Sequence, residues 1–252
     1  MRPYRTEHIE NKVLEEVEST NDLARVLAES GCPDQTWVSA RRQSHGRGRS
    51  GRSWVSEEGN LFLSVIVRVA DRSRWTWIPL ATTIALRNSL IQIKPDLNEE
   101  LKIKWPNDLY LGSGKAAGVL CETAGEAVIV GVGANCSLAP SVPEMATRSL
   151  GVAVDELRPL FLQAFRTTMD RLQKEGTDFL VSAYHASSYF RAGDSVSWGK
   201  DEDPSSGVGI VIGLGAYAEL KVSVPSPSSH AGSSSPIKSL FSEDVQRVRL
   251  RS

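Results

Sequence analysis

Apolar positions along the chain repeat with two periods. Residues 11–17, 36–42, 61–69, 101–104, 109–111, 115–122 and 127–135 form short alternating or continuous apolar runs, and they read as strands. Between the first two runs, residues 21–29 place Leu23, Val26 and Leu27 on one face of a helix. Ser19 or Thr20 can cap its start and Gly31 ends it. Residues 75–93 space Trp77, Leu80, Ile84 and Leu90 helically. A longer helix over 155–174 does so with Leu157, Leu160, Phe161, Ala164, Phe165, Met169 and Leu172, and a shorter one follows at 177–189. Beyond Ala192 the texture changes to VSWG, GVGIVIGLG, AELKVSV and VQRVRL, short strands broken by Gly, Pro and Ser, as in a small β-barrel. The pattern predicts an α/β unit over residues 1–190 and a β-barrel unit over 191–252, and it reads the Ser/Pro stretch 223–236 as a mobile hairpin loop.

A length of 252 residues suits one large domain with a small appendage. An apolar content of 40% and a net charge of −1 describe an ordinary soluble globule and give no sign of bulk polyanion binding. Cys32, Cys121 and Cys136 have no metal-ligand spacing and leave one thiol over in any disulfide scheme, so reduced, mostly buried thiols and a cytoplasmic setting are expected. The first twenty residues hold no signal-peptide core, and no run of about eighteen apolar residues occurs. His8, His45, His185 and His230 are scattered and suggest no metal site.

Two segments carry chemistry. Residues 41–54, RRQSHGRGRSGRSW, hold five arginines, three glycines and no carboxylate. Glycine lets backbone N–H groups approach a ligand and guanidinium forks match phosphoryl oxygens, so phosphate is the obvious target, although such clusters also bind single-stranded nucleic acid or stay solvated. Glu7, Glu10, Glu15, Glu16 and Glu18 are available to balance that charge. Residues 102–122, KIKWPNDLYLGSGKAAGVLCE, then read as strand, Pro-Asn-Asp turn, strand and Gly-Ser-Gly turn, with Lys115 opening a third strand.

With those two segments in place, the chain resembles the biotin protein ligases. The residues that carry the resemblance are Glu18-Ser19-Thr20-Asn21, Gln43 followed by GRGRSGRSW from Gly46, Asn60-Leu61, KWPND from Lys104 to Asp108, Lys115 with Gly118, and GVGAN from Gly131 to Asn135, in order over about residues 14–137. The resemblance implies a mixed β-sheet catalytic domain of the biotin/lipoate ligase type. It also implies activation of biotin by ATP to biotinyl-AMP, then transfer to a lysine of a biotin carboxyl carrier domain of acetyl-CoA carboxylase or a related carboxylase. The segment before residue 21 is too short for the repressor domain some members carry, so no specific DNA partner is expected, and neither is a membrane. A monomer or a homodimer is compatible.

The same resemblance, together with residue chemistry, assigns roles. Lys115 is the central cation, reaching the carboxylate and the α-phosphate, with Arg47 and Arg49 beside it as catalytic groups. Biotin would meet Ser19, Thr20, Asn21, Gln43, Gly46, Arg47, Gly48, Arg49, Lys115 and Gly118, because hydroxyls and amides satisfy a ureido ring. Ser19 and Thr20 also read as plain helix caps. The nucleotide would meet Arg47, Arg49, Arg52, Trp54, Lys104, Asn107, Asp108 and Asn135, with magnesium held through Asp108. Arg52 either shares this work or solvates the loop, and Trp54 fits an adenine-stacking indole or a core tryptophan. The loop should be mobile when free and order over the adenylate. Ser44-His45, Ala116-Ala117 and the Ser/Pro stretch depart from the usual family pattern. A lipoate or octanoate ligase of the same fold is the alternative activity, and a nucleic-acid module using the Arg/Gly loop a distant one.

Overall fold

The computed structural model describes residues 11–143, 145–199, 206–224, 235–241 and 248–251. Seven strands make one sheet: β1 (Lys12–Val17), β2 (Trp37–Gln43), β3 (Leu61–Val67), β4 (Leu101–Lys104), β5 (Asp108–Leu111), β6 (Gly114–Ala124) and β7 (Ala127–Ala134). Their spatial order is β1-β2-β3-β7-β6-β5-β4, with β1 parallel to β2 and the other neighbours antiparallel. Four helices accompany them: α1 (Thr20–Glu29), α2 (Ile78–Ile93), α3 (Val154–Glu175) and α4 (Asp178–Ser187). The helix expected from residue 75 begins as a 3-10 turn, Arg72–Trp77, and continues as α2.

A parallel pair needs a crossover, and α1 supplies it between β1 and β2. Ser19 is its N-cap in extended conformation, with its hydroxyl facing the Asp22 N–H, and Gly31 turns the chain away at φ +86°. The buried face consists of Leu23, Ala24, Leu27 and Ala28. Val26, expected on that face, is exposed, because a helix of 3.6 residues per turn carries it past the stripe these four define.

The two faces of the sheet are sorted by parity. Leu61, Leu63, Val65 and Val67 of β3 and Val128, Val130, Val132 and Ala134 of β7 join the large apolar layer under α2 and α3. The opposite parity, Ile66 and Ile129, packs with Leu23 and Leu27 of α1. The helix α1 covers only part of that second face, and the remainder is where the cavity lies. In the large layer, Phe161 and Phe165 of α3 are fully buried with ring centroids 5.5 Å apart.

The tail forms a second sheet from β8 (Ser195–Trp198), β9 (Gly207–Leu214), β10 (Leu220–Ser223), β11 (Ile237–Leu240) and β12 (Val248–Leu250), in the antiparallel order β11-β10-β9-β8-β12. A small all-β unit of barrel type was expected, and the five antiparallel strands form it; among the described residues the short strands β11 and β12 stand at the two ends of the sheet with no pairing between them. Its inner side chains, including Val196, Trp198, Val211 and Leu220, belong to the same apolar cluster as the main sheet. Two buried indoles anchor it: Trp77 Nε1 donates to Ala216 O (2.9 Å) and Trp105 Nε1 to Ala218 O (2.8 Å). Val224 N donates to Pro236 O across the β10–β11 hairpin, and the greater part of the Ser/Pro stretch, 225–234, lies outside the described residues.

Cys32, Cys121 and Cys136 form no disulfide. Burial pushes the Cys136 thiol up to about 12 and raises that of Cys121 as well, while Cys32 is half-buried. Among the described residues no helix is long and apolar enough to cross a membrane. The α3 ridge yields a stability prediction: Phe165→Ala should lower the unfolding free energy by about 3–5 kcal/mol, read from the denaturant midpoint, since the void it leaves is lined by fixed neighbours.

Candidate active site

Lys115 owes its direction to an irregularity in β6. Pairing with β5 runs Asp108 to Gly118 and Leu109 to Ala117, then jumps from Tyr110 to Lys115, so Ala116 is an extra residue in β6. Regular alternation would put Lys115 on the apolar side; the bulge brings it to the side of Asp108, Tyr110 and Gly118. Its ammonium then lies 2.7 Å from Asp108 Oδ1 and 5.3 Å from the centre of the Trp54 ring. Gly118 lies beneath this pair, and a Cβ there would come within 3.0 Å of the lysine Nζ. Segment 146–148 holds the lysine's backbone from outside: Lys115 N donates to Ala146 O (2.9 Å) and Arg148 N to Lys115 O (3.0 Å).

The floor beside Lys115 is bare sheet. Gly118 pairs with Gly133, and Leu120 with Gly131. A Cβ on Gly133 would lie 2.5 Å from the Trp54 ring, and one on Gly131 would lie 2.2 Å from Asn21 Oδ1. The missing side chains thus admit an indole at one position and an amide at the next. Around Asn21 is a neutral polar group: Thr20 N donates to Gln43 Oε1 (2.8 Å), and Ser64 Oγ lies 2.8 Å from Thr20 Oγ1 and 2.6 Å from Asn21 Oδ1. Ser19, Thr20, Asn21 and Ser64 are all buried.

The arginine segment is a hairpin folded over this floor. Trp54 N donates to Gly46 O (2.9 Å), Arg47 bridges Ser53, and Gly48 N donates to Arg52 O (2.7 Å). At the tip, Ser50 (φ 55°) and Gly51 (φ 71°) are both left-handed, which reverses the chain in two residues. Gly46 has no room for a side chain, because a Cβ would lie 2.5 Å from both Ser56 Oγ and Trp54 O. Arg41 and Arg42 point away and pair with Glu15, Glu16 and Glu58. Arg47, Arg49 and Arg52 instead line the cavity. Arg49 Nη1 donates to Asn107 Oδ1 (3.0 Å); burial lowers the pKa of this guanidinium, and the charge of Asp108 partly offsets that. It remains charged, since guanidinium groups start far above neutrality.

Between floor and hairpin lies a cavity of about 730 Å³, toward the upper part of the range for small-molecule sites. Among the described residues, Arg47, Arg49, Arg52, Lys104, Lys115 and Arg249 line it and Asp108 is the one carboxylate that does. The chain's near-zero net charge therefore conceals a strongly cationic hollow. One end, at Thr20, Asn21 and Gln43, is neutral and hydrogen-bonding, while the other is cationic. Two lining atoms, Trp54 Nε1 and Asn135 Oδ1, are buried with no hydrogen-bond partner among the described residues, as expected of groups a ligand completes.

Most of the residues singled out in the sequence converge here: Ser19, Thr20, Asn21, Gln43, Arg47, Gly48, Arg49, Arg52, Trp54, Lys104, Asn107, Asp108, Lys115, Gly118 and Asn135 all line the cavity. Gly46 stands behind it and closes the hairpin. Asn107 is buried and braces Arg49, and Asn135 Nδ2 donates to Lys115 O (3.2 Å), so both amides support the cations. Lys104 lies 4.4 Å from the Tyr110 ring centre and 5.3 Å from that of Tyr189. A magnesium site made of protein groups alone is not present among the described residues, which bring no three His, Cys, Asp or Glu side chains together; an ion shared with a nucleotide's phosphates would have Asp108, whose Oδ1 faces the Lys115 ammonium.

Tyr189, Arg249 and the wall formed by residues 140–143 and 145–147 also line the cavity, with no signal in the sequence. Ser64 did leave a signal, as the lone polar residue in the wholly apolar strand LFLSVIV. Glu122, which receives Arg47 at 2.9 Å, had none.

Comparison with known proteins agrees with this geometry. Residues 13–137 match the model of the biotin/lipoate A/B protein ligase family. The biotin–[acetyl-CoA-carboxylase] ligase of Mycobacterium tuberculosis is 36% identical over 151 residues, 57% of this chain and 57% of that protein. That of Paracoccus denitrificans is 38% identical over 135 residues, 51% of this chain and 55% of its own length. The alignments thus span little more than half of these relatives. Among solved structures, the biotin protein ligase of Aquifex aeolicus in complex with biotin and ATP superposes with a TM-score of 0.78 at 23% identity, over 95% of this chain and 98% of that one, a likeness of fold. A biotin protein ligase from Leishmania major in complex with biotinyl-5-AMP gives 0.64 at 22% identity, over 91% and 98%. Residues 13–137, just under half of the chain, therefore match the biotin/lipoate A/B protein ligase family, on a fold shared with solved biotin protein ligases.

Proposed function

We propose that the chain is an ATP-dependent ligase that converts biotin to biotinyl-AMP and passes the biotinyl group to a lysine of a carrier domain in acetyl-CoA carboxylase or a related carboxylase. The observation that carries this is the two-ended cavity: a neutral amide and hydroxyl group at Thr20, Asn21 and Gln43 that suits a ureido ring, joined through Trp54 to six cations that suit a carboxylate and a triphosphate. The relatives named as biotin ligases, and the biotin and ATP bound in the Aquifex protein, support the same substrates.

A carboxylate and ATP repel each other, and the first step must bring them into contact. A carboxylate oxygen attacks the α-phosphorus, the bond to the β-phosphate bridging oxygen breaks, and pyrophosphate leaves. Lys115, which lines the cavity beside Asp108, would supply a point charge that offsets the repulsion and the charge that grows on the phosphoryl oxygens. Asp108 and Asn107 act one step back, Asp108 by holding the Lys115 ammonium and Asn107 by bracing Arg49. Magnesium carried by the nucleotide's phosphates would offset their charge, with Asp108 the one lining carboxylate available to share it. In the second step the carrier amine attacks the acyl carbon, the bond to AMP breaks and the amine loses its extra proton. The hairpin from Gly46 to Trp54 covers the adenylate meanwhile and keeps water from it. Reduced thiols suit a cytoplasmic enzyme.

The polar groups at Thr20, Asn21 and Gln43 also suit a ureido ring, with its carbonyl and two N–H groups, better than the apolar dithiolane of lipoate. A nucleic-acid role for the arginine loop has little left to use, because Arg41 and Arg42 are ion-paired to carboxylates and the other three arginines face inward.

Pyrophosphate exchange into ATP should require biotin, and mass spectrometry of the adenylate should show biotinyl-AMP in preference to lipoyl-AMP. Equal use of both acids would overturn the assignment. Lys115→Ala should keep its circular dichroism and melting behaviour while single-turnover adenylation slows by about two to three orders of magnitude. A near-normal rate would remove this lysine from the chemistry. Arg49→Gly should release the finished adenylate faster, by about tenfold on the scale of one lost charged contact, as measured by displacement with unlabelled ligand.

A further inference from the structure

A series of hydrogen bonds starts on the arginine hairpin, crosses the cavity floor and returns to the hairpin. Arg47 Nη2 donates to Glu122 Oε2 (2.9 Å), and Asn21 Nδ2 donates to the same oxygen (2.7 Å). Asn21 Oδ1 accepts from Ser64 Oγ (2.6 Å), and Ser64 neighbours Thr20 Oγ1 (2.8 Å). Thr20 meets Gln43 Oε1, Gln43 Nε2 donates to Ser56 Oγ (3.0 Å), and Ser56 Oγ donates to Trp54 O (3.1 Å). Within this series Glu122 is the one carboxylate, and it forms the link between a hairpin cation and a floor amide.

Its position follows from β6. Gly118, Leu120 and Glu122 alternate onto the cavity side, and Glu122 stands just past the bare glycine floor. Its side chain is 22% exposed against 50% for Asp22, the other carboxylate on Arg47, so solvent screens it less. Its second oxygen faces Arg25 at 3.6 Å. Asn21 cannot reverse its amide to serve Arg47 directly: its oxygen is held by Ser64 and its position by the absence of a side chain on Gly131. An acceptor with two lone-pair-rich oxygens is what this junction requires.

We propose that Glu122 is a positioning residue that tethers the arginine hairpin to the cavity floor, so that the orientations of Arg47 and Asn21 are set together. Contacts from Asp22 and Glu122 both use Nη2, so the tether fixes the guanidinium without occupying its whole fork. Its consequence for ligand retention rests on the biotin ligase reading; the tether itself does not.

Hydrogen exchange on the ligand-free protein tests the tether. Glu122→Gln keeps one acceptor oxygen at the junction of Asn21 and Arg47 but removes its charge, and the amides of residues 46–52 should exchange about five- to tenfold faster while those of β3 and β7 stay unchanged. Unchanged hairpin exchange overturns the proposal. Should that variant not fold, Arg47→Gln cuts the tether from its half-exposed end and should expose the same amides, with the same overturning result. The ligand consequence is read from biotinyl-AMP release in wild type, Glu122→Gln, Arg47→Ala and the double variant. Each single change should speed release about tenfold and the double no more than the worse single, because both break one linkage. Additive effects overturn the coupling. A wild-type protein that forms no biotinyl-AMP defeats the ligase reading, and the exchange measurement still decides the tether.

Discussion

An antiparallel strand sends alternate side chains to opposite faces, and regular pairing would have placed Lys115 with Ala117 and Val119 in the apolar layer beneath α2 and α3. An ammonium there would lack both water and a counter-charge. One extra residue in β6, Ala116, reverses the parity for the end of the strand, so Lys115 meets Asp108 and overlies Gly118. The rest of the site is arranged around that reversal. Glycines clear the neighbouring floor, Trp54 and Asn21 occupy the cleared space, and the 146–148 backbone holds the lysine's peptide where β5 no longer pairs with it in step.

Charge is distributed with the same logic. Each cation near the floor has a brace that does not neutralise the cavity as a whole: Asn107 for Arg49, the Tyr110 and Tyr189 rings near Lys104, and Asp22 with Glu122 behind Arg47. Amides and aromatic faces fix direction at little cost in net positive charge. The positive field therefore survives folding and is presented to an incoming anion, while carboxylates at β1 and Glu58 take up the arginines that face outward.

Much of this was readable before any coordinates. Helix and strand periods located α1 to α4 and the seven strands because each buries a face with a clear repeat, and the unusual density of Arg and Gly could serve no core. What escaped was information about pairing. No letter of KAAGVL announces a bulge, and Glu122 looks like any carboxylate near a strand end. Tyr189 and Arg249 reach the cavity only through the docking of distant segments. The misplaced Val26 has the same cause, since burial depends on which neighbour a face meets and not on the face itself. Ser64 alone offered a clue that went unused: a hydroxyl inside an otherwise apolar central strand needs a partner, and its partners proved to be Thr20 and Asn21.

The indole of Trp105 bonds to the turn that joins β9 and β10, and Trp105 lies three residues before Asp108. With Trp77 bonded to the same turn and Arg249 lining the cavity, the tail buttresses the strand pair that carries Asp108 and Lys115. Any strain put on the small sheet from outside, by a docked protein or an altered strand, has a route of three residues to the carboxylate that holds the Lys115 ammonium.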